Sequence, residues 1–476
     1  MRWGWGRPGN LRFGALALFA LLASPAAAAQ GQAPGAEQLW KDAHQHSQAY
    51  SLLRELTGRI GPRLTGSDKG RQAETWALRR FRAAGYANAR FAPFTLQRWI
   101  RGPVSLQVAG VAVPALAFGG SPARASLSSE IVEMGNGIDA EYQAAPDKVR
   151  GKIALIYYTV LPDSPDSTPF LARWEKIRLA IRYGAKAVVF INRGQGNDLS
   201  VRQAWLDGPL PIPVLMIGHD RGMAIRARLQ GKPAQAALEM RNRVGKAVAR
   251  NIVATLPGTD PKAEHIVFGA HLDSWDLATG ALDNGAGAVS VLEIARLFRE
   301  RGYRPRRTIE FILYMGEEQG ELGSTALLRQ QIADRSADNI GYVVNSDMSY
   351  DPVALNTWGM DTGTHFFPAL VAELKALDAG FSSDIMNRPM PGGDPQAYAE
   401  KGFPVLFIAG APGPDFMRCQ HAACDRLNII RPEPLDRLVA VSAITLLRLA
   451  NAEKLPAERI RGKALEDYIE RNGLRM

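Results

Sequence analysis

The sequence predicts an α/β protein: a mostly parallel, mixed central sheet flanked by helices and interrupted by a β-rich insert. Three observations carry this. From about residue 247, continuous apolar strands alternate with helical stretches, the pattern of strands buried on both faces. Residues 105 to 246 change texture and are dominated by short β-rich runs. Residues 30 to 104 supply a helix and a strand that have no sheet of their own.

In chain order, the first 29 residues stand apart. Arg2, Arg7 and Arg12 form a basic start, FGALALFALLA is an apolar core, and SPAAAAQ offers small residues for cleavage near Ala29. This predicts a secretory signal peptide and therefore an exported, secreted or periplasmic protein. No other apolar run approaches the roughly 18 to 20 residues that a membrane span needs. Removing residues 1–29 removes three arginines and no acid, which takes the net charge from +10 to +7. No basic run with interleaved aromatics suggests nucleic acid.

Next, SDKGRQAETWALRRFRAAGY has a Ser/Asp cap and apolar positions at helical spacing, so it predicts a helix ending at Gly85. NARFAPFTL alternates like a strand. Within 105–246 the strands are VSLQVAG, GKIALIYYT, AKAVVFIN and IPVLMIGHD, with one helix in FLARWEKIRLAIRYG. His219 is isolated there and reads as structural. The final region, 247–476, runs RNIVATL, HIVFGA, helix AGAVSVLEIARLFRER, TIEFILY, helix STALLRQQIADR, IGYVVNSD, helix HFFPALVAELKAL, FPVLFIAG and helix LDRLVAVSAITLLRLA.

Ligands of such sheets bind beyond the carboxyl ends of the strands. HIVFGA ends at His271 and Asp273, with Asp283 in the glycine-rich loop beyond. TIEFILYMG ends at Glu317 and Glu318, IGYVVNS at Asp347, and FPVLFIAG leads through a Pro/Gly loop to His421. Each residue alone has an ordinary reading: a core histidine, a turn, a helix start. Together, on one edge of one sheet, two histidines and several carboxylates predict a site for zinc, or for cobalt or manganese. One bridging carboxylate plus two further ligands per ion would hold two metals with five residues, leaving a carboxylate over as general base. The only cysteines, Cys419 and Cys424, bracket His421. In an exported chain they predict a disulfide that holds this histidine, with two free thiols as the alternative.

HLDSWD, ALDNGAG, GEEQGELGS, NSD and CQHAACD resemble the secreted di-zinc exopeptidases related to bacterial leucyl aminopeptidase, glutamate carboxypeptidase and carboxypeptidase Q, with HLDSWD nearest the last of these. GKIALIYYT, GAKAVVFIN and IPVLMIG resemble the protease-associated domain that several members carry as an insert, which would span 105–246 between catalytic segments 30–104 and 247–476. The resemblance implies two Zn2+ per chain: Asp283 bridging, His271 and Asp347 on one ion, Glu318 and His421 on the other. It implies Glu317 as the catalytic base, Asp273 orienting His271, Asp425 in a structural role and a Cys419–Cys424 disulfide.

The expected function is a zinc-dependent exopeptidase, a carboxypeptidase Q-like amino- or dipeptidase, acting on unblocked peptides or dipeptides. A non-catalytic receptor-like ectodomain and a single-zinc glutaminyl-cyclase-like transferase are the alternatives. The insert would cover the cleft or pair two copies as a homodimer. Trp275 and Tyr350 fall near the site in sequence, with packing as their ordinary role, and GGDPQAY (392–398) receives no assignment.

Overall fold

In the computed structural model the described residues are 35–204, 210–230, 232–363, 365–411 and 413–474. The expected signal peptide, residues 1–29, lies outside them. The chain enters a first sheet as β1 (Arg90–Ile100). It leaves for a second sheet, β2 (Val104–Val108), β3 (Val111–Ala112), β4 (Ala115–Ala117), β5 (Arg124–Glu133), β6 (Ile153–Tyr157), β7 (Ala187–Ile191), β8 (Val214–Ile217) and β9 (Ala234–Arg241). It returns as β10 (Arg243–Leu256) and completes the first sheet with β11 (His265–His271), β12 (Ile309–Tyr314), β13 (Ile340–Asn345), β14 (Pro352–Asn356) and β15 (Val405–Gly410).

The first sheet has seven strands in the order β1-β10-β12-β11-β13-β15-β14. Its centre is parallel (β12–β11, β11–β13, β13–β15), and the flanking pairings β1–β10, β10–β12 and β14–β15 are antiparallel, so the sheet is mixed. Both faces are covered, which is why the central strands read as unbroken apolar runs. Ile266, Phe268 and Ala270 face one core, with the helices Ala286–Glu300 and Pro432–Asn451 packed there. Val267, Ile312 and Val405 face another, against the helices Leu322–Ala333 and Gly462–Arg471. The helix Asp68–Ala83 begins where Ser67 Oγ accepts the N–H of Gly70, an N-cap of the expected type.

The second sheet, order β3-β2-β9-β5-β6-β7-β8-β4, has its own two cores. It is inserted at the tip of the β1–β10 ladder, whose last pair is Ile100↔Arg243. The helix Arg173–Arg182 lies in this insert, as the sequence predicts. Among the described residues no helix is long and apolar enough to cross a membrane.

Candidate metal centre

The four parallel strands β11, β12, β13 and β15 point their carboxyl ends at one rim. His271 is the last residue of β11, Glu317 and Glu318 follow β12 by three and four residues, and Asp347 follows β13 by two. Asp283 is delivered by the loop after β11, just before the helix Ala286–Glu300. Gly287 lets that helix approach β13 closely: a Cβ there would stand 2.3 Å from the carbonyl of Ser346, the neighbour of Asp347.

Asp283 sits at the centre with its two oxygens facing opposite ways. Oδ1 is 3.2 Å from His271 Nε2, which is also 3.4 Å from Asp347 Oδ1. Oδ2 is 3.0 Å from His421 Nε2, which is also 3.0 Å from Glu318 Oε2. Glu317 Oε2 stands 3.8 Å from His271 Nε2, beside the first group. The six side chains named at the strand ends thus meet in two clusters joined by one carboxylate. His271, Asp283 and Glu318 are each 5% exposed or less, too buried for solvent to satisfy them.

No hydrogen bond satisfies His271 Nε2, Glu318 Oε2 or Asp347 Oδ1, although each has a potential partner within 3.4 Å. Buried polar atoms normally have hydrogen bonds. Atoms that converge without them suit a shared cation, and imidazole with carboxylate is a zinc-type donor set. Electrostatics agrees. Burial opposes ionisation of Asp283, but His421 and His271 outweigh it and hold its carboxyl well below the usual range. Burial pushes Glu318 up to about 7 against the pull of His421. Burial, reinforced by Asp347 and Glu318 and opposed by His271, holds Glu317 well above the ordinary glutamate range. A cation among these groups would relieve that crowding.

Neighbouring groups fix these side chains. His271 Nδ1 lies 3.1 Å from the main-chain carbonyl of Asp273 and 3.7 Å from that residue's carboxylate, whose Oδ2 accepts from Thr65 Oγ1 at 2.9 Å. The Trp275 N–H donates to Glu318 Oε1 at 3.2 Å, while its indole packs edge-on against Trp99. Tyr350 is a packing residue: it stacks near Phe416, and its hydroxyl accepts the Arg431 N–H. Asp425 accepts the N–H groups of Leu282 and Asp283 at 2.7 and 3.0 Å and so holds the central carboxylate's backbone.

Sequence reasoning missed three contributors. Arg63 is fully buried and donates to the carbonyls of Leu272, Thr279 and Gly280 at 2.5, 2.5 and 2.9 Å, clamping the loop between His271 and Asp283. Burial lowers it to about 10 against the pull of Asp425 and Asp273. Asp394, in the unassigned 392–398 segment, is 1% exposed with neither carboxylate oxygen hydrogen-bonded, and burial raises it to about 8. The third is the insert. Val201 N–H donates to the His421 carbonyl at 3.0 Å, and the Val201 carbonyl faces His421 Nδ1 at 3.1 Å. The guanidinium of Arg202 lies against the same Nδ1, so two groups of the insert face this ring nitrogen.

Cys419 and Cys424 are joined as a disulfide around His421, whose φ of 58° is a left-handed conformation that costs a non-glycine residue roughly 1–2 kcal/mol. Replacing both cysteines by serine is expected to lower unfolding free energy by about 2 kcal/mol, the entropy of so short a loop, read by urea denaturation. An unchanged midpoint would show that Val201 and the surrounding packing hold the loop unaided.

Residues 251–445 match Peptidase family M28 and residues 125–225 match the PA domain. Carboxypeptidase Q of Bos taurus is 25% identical over 429 residues, covering 86% of each chain. A peptidase M28 precursor from Shewanella amazonensis has a TM-score of 0.74 at 25% identity, covering 90% of this chain and 98% of its own. A zinc aminopeptidase from Bacillus subtilis shares the fold, with a TM-score of 0.67 at 22% identity over 87% of this chain and 97% of its own. With the buried His/Asp/Glu rim in place, the chain is a metallo-exopeptidase whose residues 251–445 are similar to Peptidase family M28 and whose residues 125–225 are similar to the PA domain.

Proposed function

We propose that this is an exported two-zinc exopeptidase that hydrolyses unblocked peptides or dipeptides. One observation carries the reading: Asp283 turns one oxygen to His271 and Asp347 and the other to His421 and Glu318. His271 and Asp347 would hold one ion, Glu318 and His421 the other, with Asp283 between them. Such a pair supplies Lewis-acid polarisation of the scissile carbonyl and a lowered water pKa.

The chain's own groups do the rest. Glu317 borders the cluster and the cleft, takes a proton from the attacking water and gives it to the departing amine. The hydroxyl goes to the carbonyl carbon as the C–N bond breaks. Asp273 and Val201 orient the two imidazoles through main-chain carbonyls, and Arg63 and Asp425 hold the loop that presents Asp283. Export is supported by the basic and apolar start of the sequence and by the disulfide. The peptidase domain is read as 30–104 with 247–476, interrupted by the PA domain at 105–246.

Exhaustive chelation is expected to abolish hydrolysis of leucyl dipeptides and to lower stability by about 5 kcal/mol relative to protein with both zinc sites at 100-fold their dissociation constants, with both restored by zinc. Metal analysis should find two ions per chain. A stoichiometry near one, or chelator-resistant hydrolysis, would refute the two-metal reading.

A further inference from the structure

The insert carries a second cavity that shares no residue with the cleft over the metal rim. It encloses about 470 Å³ between the β2–β3 hairpin and the helix His219–Leu229. Val108, Val113 and Leu229 line it and belong to the insert's own core, with Ile225 packed against them. The hairpin turns at Ala109 and Gly110, with φ of 49° and 76°, and brings round Val111, which is 56% exposed. Arg221, Arg228 and Lys232 supply the charge.

This lining is chemically narrow. Each of its thirteen residues is either aliphatic, with alanine and proline included, or cationic. None bears a hydroxyl, an amide, an imidazole or an aromatic ring, and none is an acid. A sugar, a nucleobase or a polar peptide side chain would find neither a side-chain acceptor nor a stacking surface there. Among the described residues, no carboxylate forms an ion pair with Arg221, Arg228 or Lys232. The same helix shows the contrast. Arg226 pairs with Glu133 at 3.2 Å and with Asp163 at 3.0 Å. Asp220, beside Arg221, is engaged by His219 Nδ1 at 2.9 Å and accepts the Gly196 N–H at 3.0 Å. Arg221, Ala224, Ile225 and Arg228 recur at helical spacing and share one stripe. Each cation alone would be an ordinary solvated group. Around a concave apolar site they form the pattern of a small-ligand pocket, whose usual volume is roughly 300–1,000 Å³.

We propose that this pocket binds a fatty carboxylate, with its acyl chain against Val108, Val113, Ile225 and Leu229 and its head group among Arg221, Arg228 and Lys232. Hydrocarbon needs no hydrogen bonds, which suits aliphatic walls, and its burial gives affinity in proportion to chain length. A carboxylate accepts the paired N–H donors of a guanidinium. The stems of the cations extend the apolar wall while their charges stay in water. The occupant is a single free acid rather than a bilayer surface, because the apolar wall is concave and Val111 is the one large aliphatic side chain of the lining left exposed.

Calorimetric titration of the full-length protein with octanoate, decanoate and dodecanoate tests this. One site per chain is expected, with affinity rising about fourfold for each added methylene. Dodecanol is expected to bind about tenfold more weakly than dodecanoate, for want of the charge. Zinc-loaded and chelated protein should bind dodecanoate alike, which separates this site from carboxylate capture at the metal rim. The double variant Arg221→Gln, Arg228→Gln is expected to bring dodecanoate down to the affinity of dodecanol and to leave dodecanol unmoved. Val111→Glu is expected to weaken both. All three positions are exposed, so the unliganded variants should melt with the wild type. If a variant fails to fold, the wild-type chain-length series and the acid-to-alcohol comparison decide. Equal affinity along the series, equal affinity for acid and alcohol, or loss of binding on chelation overturns the proposal. Pelleting on phosphatidylglycerol vesicles that Val111→Glu abolishes, with no binding of monomeric dodecanoate, would overturn it in favour of a membrane contact.

Discussion

Glu317→Gln is expected to keep both metals and lose turnover by about 10³-fold, the scale of a general base. The replacement preserves size and one carbonyl oxygen, and the two halves of the proposed centre do not draw a ligand from this residue. His271, Asp347, Asp283, Glu318 and His421 already converge without it. An amide cannot accept the water's proton or return it to the leaving amine. Metal content by mass spectrometry and kcat on a leucyl dipeptide, measured on the same preparation, separate the two roles. Turnover within tenfold of wild type would remove Glu317 from the mechanism. Loss of one metal would move it into the ligand set. Because base and metals act as a unit, a further change at a ligand should add little to the loss in kcat.

Arg63→Met is expected to cost about 4 kcal/mol of stability and to weaken zinc binding 10- to 100-fold. Methionine fills much of the volume but donates nothing. Three buried carbonyls, those of Leu272, Thr279 and Gly280, would be stranded at once, and each unpaired group costs roughly 1–3 kcal/mol. The guanidinium is also the cation beside Asp273 and Asp425. The loop it clamps carries the central carboxylate, so slack there spreads to both halves of the site. Urea denaturation of the metal-free variant and competition with a zinc-chelating dye measure the two effects independently. A stability within 1 kcal/mol of wild type would mean that water or a neighbour satisfies those carbonyls, contrary to the clamp.

Much of this architecture could be read from the chain. Strands such as HIVFGA and TIEFILY are apolar on both faces because helices cover both, and their ends carry the acids and imidazoles that the structure gathers at one rim. Strand direction was less legible. RNIVATL looks like its neighbours, yet β10 runs antiparallel to β12, because periodicity reports which faces are buried and not which way a strand points. The supporting groups were the hardest to see. Arg63 sits in a loop, where a charged side chain is ordinarily solvated. What buries it is contact with segments more than 200 residues away, and no local pattern encodes that. Asp394 is hidden for the same reason: in sequence it is the start of a short helix after two glycines, and only the fold turns it inward.

The pairing of Val201 with His421 bears on how this protein can be taken apart. A guest inserted at a hairpin tip is usually dispensable to its host, and joining Ile100 to Arg243 by a tight turn would leave the β1–β10 ladder whole. Here that excision would also remove the Val201 carbonyl and the Arg202 guanidinium, which both face Nδ1 of the His421 ring. The two parts are separable in topology and inseparable in chemistry. A minimal peptidase cut from this chain, or a chimera bearing a foreign insert, would have to bring substitutes for both to the same nitrogen to keep that ring in place.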